Sequence, residues 1–175
     1  APKKYFDMYP LEEIDIPTLD EAKLDLEDVP AMAVQRDTKN WPYYFDGISV
    51  SEARKCKQAY YASVSFVDAQ VGKLLDALEE NDLLENTIIV FWSDHGYFLG
   101  EKGLWYKRKN FERSLKVPLI LAGYGVSESN KIVDQPVELV DLYPTLVDLL
   151  GNQVPQELEG KSLLPFLKKS NYIWD

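Results

Sequence analysis

Apolar residues recur at steps of three and four from Ala53 through Cys56, Tyr60, Val64, Val67, Val71, Leu74 and Leu78. That spacing marks one face of an α-helix and predicts a helix over Ser49 to Glu80, with this stripe turned into a core. Ser49 and Glu52 stand at capping-box spacing, in which each side chain satisfies an amide that lacks a partner inside the helix. Asn81 and Asp82 end the pattern. Cys56 lies on the stripe, so it reads as a buried core thiol rather than a nucleophile, with Lys55 and Lys57 on other faces.

The period then changes. Thr87-Ile88-Ile89-Val90-Phe91-Trp92 is an unbroken β-branched and aromatic run. It predicts a strand covered on both faces, as in a parallel sheet. Helix followed by buried strand is half of a βαβ unit. Val117 to Gly123 predicts another strand, with Pro118 in its first residues or at an edge. Asp141 to Leu150 predicts a second amphipathic helix, with Pro144 tolerated in its first turn and Gly151 as its stop. Leu158 to Leu167 reads as a loop with a short apolar cluster. No repeat or low-complexity tract interrupts the chain.

Before Ser49 no period is sustained, and charge takes over. Glu12 to Asp28 holds eight acids and one base, a local charge of -7, with Pro10, Pro17 and Pro30 in or beside it. Residues 1–47 are expected to be an irregular acidic surface segment anchored by Trp41, Tyr43, Tyr44 and Phe45. The acidic run reads as a solvated face in preference to a cation site. The full chain of 175 residues, 46% hydrophobic and 27% charged, fits one domain with a core and excludes wholesale disorder. A net charge of -10 opposes binding to nucleic acid or anionic membrane surfaces as a whole. No apolar run reaches the roughly 18 residues of a membrane span, so no membrane insertion is expected. The single Cys excludes an intrachain disulfide framework. The chain begins at Ala1 with no signal-peptide core after it, and is expected to be a processed product or a piece of something longer.

Candidate chemistry lies just after the first predicted strand, where open α/β sheets place ligands. Asp94 offers hard oxygens for a divalent cation, or an acceptor for a proton, and His95 is the only histidine. Gly96 and Gly100 allow sharp turns and close backbone approach. On Ser93-Asp94-His95-Gly96 alone a structural turn outranks a metal site. The next stretch, Glu101 to Lys116, carries six bases and two acids, a local charge of +4. Such a loop holds an anionic group such as phosphate, sulfate or carboxylate. Equally, it pairs with the acidic N-terminal segment; composition leaves both readings open.

Ser93-Asp94-His95-Gly96-Tyr97-Phe98-Leu99-Gly100-Glu101-Lys102-Gly103-Leu104-Trp105-Tyr106-Lys107, followed by Val117-Pro118-Leu119-Ile120, resembles the second signature block of the sulfatases. Tyr9-Pro10-Leu11-Glu12, Tyr60 to Ser65, Asp141 to Leu146 and Leu158 to Leu163 are similar to its iduronate-2-sulfatase-like subfamily. The resemblance covers nearly the whole chain. It implies an α/β fold, part of an alkaline-phosphatase-like mixed sheet flanked by helices. Residues 1–175 would be the C-terminal portion of the catalytic domain, with 1–47 the acidic segment and 48–167 a helix-strand-loop-strand-helix portion.

The resemblance also implies roles. Asp94 and His95 match positions that help bind a calcium ion, and Lys107 matches a lysine that contacts sulfate. His95 either ligates or hydrogen-bonds beside the ion, since calcium prefers oxygen. Tyr97 and Trp105 flank the loop, either against a sugar ring or as loop core. The implied reaction is hydrolysis of a sulfate ester, such as that of a sulfated sugar, outside the cytosol: in the periplasm, in the lysosome or after secretion. The family's nucleophile, a formylglycine made within a Cys/Ser-x-Pro-Ser-Arg motif, has no counterpart here, and Cys56 sits in Lys-Cys-Lys-Gln-Ala. The family's paired N-terminal aspartates and basic residues are absent too. The expected partner is therefore the rest of a sulfatase chain, without which this portion is inactive. The alternatives are a phosphodiesterase or phosphomutase of the same superfold, which a lone histidine disfavours, and a non-catalytic domain that binds sulfated glycans.

Overall fold

The computed structural model describes residues 1–34, 48–107, 109–127 and 130–173. They fall into two units, Ala1–Ala77 with Trp92–Pro118 and Leu78–Phe91 with Leu119–Asp175.

In the first unit residues 1–34 of the acidic N-terminal segment are not irregular. They hold helices α1 (Lys3–Phe6) and α2 (Leu19–Leu24) and 3₁₀ turns at Leu11–Glu13 and Ala31–Val34. Each proline lies just ahead of a helical turn. The Glu13 amide donates to the Pro10 carbonyl (3.1 Å) and the Ala33 amide to that of Pro30 (2.8 Å). Proline's missing N–H costs nothing there, so these prolines start helical turns instead of preventing them. After Pro17, Thr18 and Glu21 form a capping box: the Thr18 amide donates to Glu21 Oε2 (2.7 Å) and the Glu21 amide to Thr18 Oγ1 (3.2 Å). The eight acids from Glu12 to Asp28 are all exposed, as a solvated face requires. Buried anchors are Tyr5, Ile14 and Ala22; Trp41, Tyr43, Tyr44 and Phe45 lie outside the described residues.

This segment is tied to helix α3 (Val50–Glu80), which realises the long period and its Ser49–Glu52 capping box. The tie is polar. Arg54 Nε donates to the Ile14 carbonyl (3.1 Å), Lys57 Nζ to Asp15 O (2.8 Å) and Gln58 Nε2 to Tyr9 O (2.8 Å). The Tyr9 and Ser65 hydroxyls share a hydrogen bond at 2.6 Å. The N-terminal segment brings backbone carbonyls that need donors, and the helix supplies them from Arg54, Gln58 and their neighbours. The predicted apolar stripe lies about one residue step, roughly 100°, round the helix. Ala53 at its start is fully buried and Tyr60, Val71 and Leu78 are half-buried, but Val64, Val67 and Leu74 are 54%, 52% and 67% exposed. Cys56 is also exposed, not a core thiol. The period was readable, but the face that packs in this chain is the neighbouring one.

In the second unit, β1 (Ile88–Trp92) pairs with β4 (Leu119–Gly123) as a two-stranded sheet. The Tyr124 amide donates to the Thr87 carbonyl at 2.9 Å, so the beginning of β1 lies beside the end of β4. The pair is thus antiparallel, not parallel. Nor is β1 covered on both faces, since Phe91 and Trp92 are 39% and 47% exposed.

Helix α5 (Leu142–Leu149) matches the second predicted helix, with Gly151 at φ 73° as its stop. The expected tail loop contains helix α6 (Leu164–Lys168). Its approach is fixed by buried polar groups. The Asp141 carboxylate accepts the amides of Glu138 (2.9 Å) and Lys161 (2.8 Å). Thr145 Oγ1 donates to Asp141 O (2.6 Å) and accepts the Leu163 amide (2.8 Å). These bonds seat Leu163 and Phe166, which gives the apolar cluster a helical turn to sit on.

Candidate active site

The chain leaves β1 through Ser93-Asp94-His95-Gly96. Ser93 Oγ donates to the His95 carbonyl (2.9 Å), which closes the turn. The Gly96 amide donates to Ser114 O (2.8 Å), docking the turn on α4 (Glu112–Leu115). A Cβ at Gly96 would stand 2.0 Å from Arg113 O, so only glycine fits.

A hairpin comes next. Strand β2 (Phe98–Leu99) pairs antiparallel with β3 (Trp105–Tyr106), Phe98 opposite Tyr106 and Leu99 opposite Trp105. Between them, Gly100 at φ 115° begins a tight turn in which Glu101 Oε2 accepts the Leu99 amide (2.7 Å). Phe98, Leu104 and Trp105 are buried in it. Trp105 is therefore loop core, and its Nε1 is buried without a hydrogen-bond partner among the described residues. One step beyond the paired residues, Tyr97 and Lys107 fall opposite each other, which carries Lys107 back to the turn.

There Lys107 Nζ is in hydrogen-bond contact with His95 Nε2. His95 Nδ1 lies 2.7 Å from the Gly96 carbonyl, which only accepts, so Nδ1 carries the hydrogen. In the neutral ring Nε2 then presents a lone pair, which accepts a hydrogen bond from the Lys107 ammonium. Asp94 Oδ2 is 3.3 Å from the same nitrogen, and the Asp94 side chain is 72% exposed. Two lone-pair donors side by side repel unless a cation stands near them, and here the ammonium does. The sequence-predicted trio of Asp94, His95 and Lys107 is thus brought together.

One carboxylate and one imidazole also suit part of a divalent cation's shell, though calcium takes six to eight ligands, mostly oxygen. Among the described residues no group of three His, Cys, Asp or Glu side chains forms a fuller set. Asp94 fits such an ion as one of its ligands; His95 fits as a second only with the Lys107 ammonium off Nε2, since Nδ1 is held by the Gly96 carbonyl.

The rest of the basic loop divides. Lys102 Nζ reaches Asp25 Oδ1 at 2.8 Å, pairing with the acidic segment. Arg113 and Lys116 face Glu101 and Glu112 at 3.8 Å and 3.4 Å. Arg108 lies outside the described residues. Tyr97 sits between Tyr60 and Tyr106, with ring centroids 4.9 Å and 5.6 Å away. Burial raises the pKa of its phenol, and the neighbouring Tyr106, Tyr60 and Cys56 push it the same way. Sequence reasoning missed Tyr106. Its neighbour Lys107 was the signal, but its positive φ of 79° is not legible in the residue types around it.

The sequence matches the family model described as Sulfatase over residues 5–152. It is 43% identical to a sulfatase of Formosa agariphila across 100% of this chain and 34% of that protein. It is 35% identical to choline-sulfatase of Rhizobium meliloti (95% of this chain, 32% of that one) and 36% identical to human iduronate 2-sulfatase (93% and 37%). The fold overlaps a protein solved with its substrate D-glucosamine-2-N,6-O-disulfate, with TM-score 0.66 and 36% identity over 69% of this chain and 25% of that one. It also overlaps a phosphonate monoester hydrolase of Silicibacter pomeroyi, with TM-score 0.75 and 26% identity over 96% and 34%. The chain belongs to the sulfatase family, whose alkaline-phosphatase-like α/β fold it shares. It spans about a third of the length of these curated relatives.

Proposed function

We propose that this chain supplies the sulfate-binding side of a sulfatase active site. The observation that carries the reading is the convergence of Lys107 Nζ, His95 Nε2 and Asp94 Oδ2 at the turn after β1. Lys107 contacts a non-bridging sulfate oxygen, and its fixed ammonium offsets charge that grows as the sulfur–oxygen ester bond breaks. Asp94 would contribute one ligand to a calcium ion, and His95 a second once Lys107 leaves its Nε2 for the sulfate; the bound ion would supply Lewis-acid stabilisation of the same group. The nucleophile, a formylglycine, comes from sulfatase polypeptide outside these 175 residues. That polypeptide also covers the apolar stripe of α3. The substrate class is a sulfate ester of a sugar, as in the neighbour solved with a glucosamine disulfate. The site of action is extracytosolic: periplasmic, lysosomal or secreted. Among the described residues no helix is long and apolar enough to cross a membrane.

The test is hydrolysis of 4-nitrophenyl sulfate by the product of the complete gene. Lys107→Ala is expected to lower kcat by about 10²–10³-fold, the scale seen when one charge-stabilising donor is removed. The isolated chain is expected to show no turnover, for want of a positioned nucleophile; measurable turnover by it would overturn the reading. A second reading, a phosphonate or phosphate ester hydrolase, is favoured by the overlap with the phosphonate monoester hydrolase. Faster cleavage of a phenylphosphonate monoester than of the sulfate, with two transition-metal ions per chain, would establish it instead.

A further inference from the structure

The reading of Lys107 as a sulfate contact accounts for its ammonium but not for the aromatic row beside it. Tyr60 of α3, Tyr97 and Tyr106 of β3 are packed in sequence, the first pair tilted at 34° and the second edge-on at 75°. Tyr106 is the outer member, 36% exposed. Its φ of 79° is a conformation that a bulky side chain adopts only at a cost. That strained residue immediately precedes Lys107, whose Nζ stands 5.6 Å from the Tyr106 ring centroid. A ligand held by Lys107 would therefore have the Tyr106 ring within reach.

We propose that Tyr106 is the platform for the sugar ring that bears the sulfate, a residue that selects sulfated sugars over other sulfate esters. The inference rests on Lys107 holding the sulfate. In a sugar sulfate the ester oxygen joins sulfur directly to the ring or to its exocyclic carbon, so a ring stands within a few bonds of the anchored group. A pyranose presents C–H groups on one face and hydroxyls around its edge. The C–H face lies on an aromatic ring as apolar surface while the hydroxyls stay in water. Tyr97, backed by Tyr60, supports the platform from beneath and is a positioning residue only.

The same geometry disfavours a cationic alcohol as the sulfate's carrier. A quaternary ammonium is recognised by a cage of several aromatic faces around it, not by a single platform. Here the three rings pack on one another instead of walling a cavity, and the Lys107 ammonium already stands by the exposed one. A second positive charge there would be repelled.

Calorimetric titration of the complete gene product tests this, with inorganic sulfate, N-acetylglucosamine 6-sulfate and choline sulfate as probes. Tyr106→Ala is expected to weaken the sugar sulfate about tenfold and to leave the other two within about twofold. Tyr106→Phe is expected to keep the parent affinity for all three. Tyr106→Gly tolerates the positive φ, so it deletes the ring even where the alanine variant folds poorly, and it is expected to match Tyr106→Ala. Equal losses for the three probes, or an unchanged sugar sulfate affinity, would overturn the platform. Lys107→Ala reports separately. It is expected to weaken inorganic sulfate, and if it does not, the sulfate contact itself is wrong, whatever the tyrosine variants show.

Discussion

The β2–β3 hairpin and helix α3 solve the same problem with opposite results. The hairpin is short, strained and rich in glycine, yet its core is closed within this chain: Phe98, Leu104 and Trp105 are 0%, 2% and 8% exposed, with Phe111 packed edge-on against Phe98. Its backbone is satisfied locally, with the Gly100 amide donating to Leu104 O at 2.9 Å and Glu101 taking the Leu99 amide. Helix α3 is the longest and most regular element, yet its apolar stripe meets solvent at Val64, Val67 and Leu74. Periodicity states which residues seek burial; it does not state that the same chain supplies the cover. The cover proposed for that face is sulfatase polypeptide beyond these 175 residues, since this chain spans about a third of its relatives' length. The chemistry sits on the part that needs no such help, which is why Asp94, His95 and Lys107 still converge.

The largest expected effect tests the closed half of this contrast. Phe98 is fully buried, and Phe98→Ala is expected to cost about 3–5 kcal/mol in denaturant unfolding. Because Phe98 pairs with Tyr106 across the hairpin, the same variant is expected to lose the Lys107–His95 contact, read as a changed His95 ring signal by NMR. A cost below about 1 kcal/mol on the same scale would mean that the hairpin core is not closed in solution.

The contrast also explains what the sequence could reveal. Elements set by neighbours in the chain were legible: the Ser49–Glu52 cap, the run from Ile88 to Trp92, Gly151 as a stop and the Ser-Asp-His-Gly turn. Elements set by distant partners were not. Pro10, Pro17 and Pro30 argued for irregular chain because a proline starts a helix only when the residues after it can complete the turn. The tail helix α6 exists because Asp141 and Thr145 bind the Lys161 and Leu163 amides, about twenty residues away. The antiparallel pairing of β1 with β4 was not legible, because strand direction depends on how the chain returns to the sheet, which no local pattern encodes. At the site, residue types pointed to Asp94, His95 and Lys107. Whether Tyr97 and Trp105 faced a ligand or the core was decided only by the register that buries Trp105.

A middle-sized effect lies at the well-determined end of α3. Ser49→Ala removes the side chain that accepts the Glu52 amide and is expected to cost about 1 kcal/mol at neutral pH. The Ser49 hydroxyl and amide hold the Glu52 carboxyl below its ordinary pKa, with Lys55 adding a smaller pull. A depressed carboxylate stabilises the fold above its unfolded pKa, and that contribution fades as pH falls through the folded value. The parent should therefore lose helicity by circular dichroism in the acid range more steeply than Ser49→Ala, which keeps only the amide's share of the dependence. Parallel acid profiles for the two would show that the box is not formed in solution. Thr18 and Glu21 are arranged in the same way and should repeat the pattern in α2.

The smallest effect tests the open half of the contrast. Val64 and Val67 are about half exposed on this chain, and each Val→Ala change there is expected to shift unfolding free energy by less than about 0.5 kcal/mol. The same substitutions in the product of the complete gene are expected to cost about 1–2 kcal/mol each, the worth of two buried methylene equivalents. The informative quantity is the difference between the two proteins, since local helix propensity cancels in it and only the cover remains. A loss near about 2 kcal/mol in the 175-residue chain would show that the stripe is already buried there, and dilution would then tell how. If the cost falls with protein concentration, the faces of two copies cover each other; if it does not, the stripe packs within the chain and α3 is as closed as the hairpin.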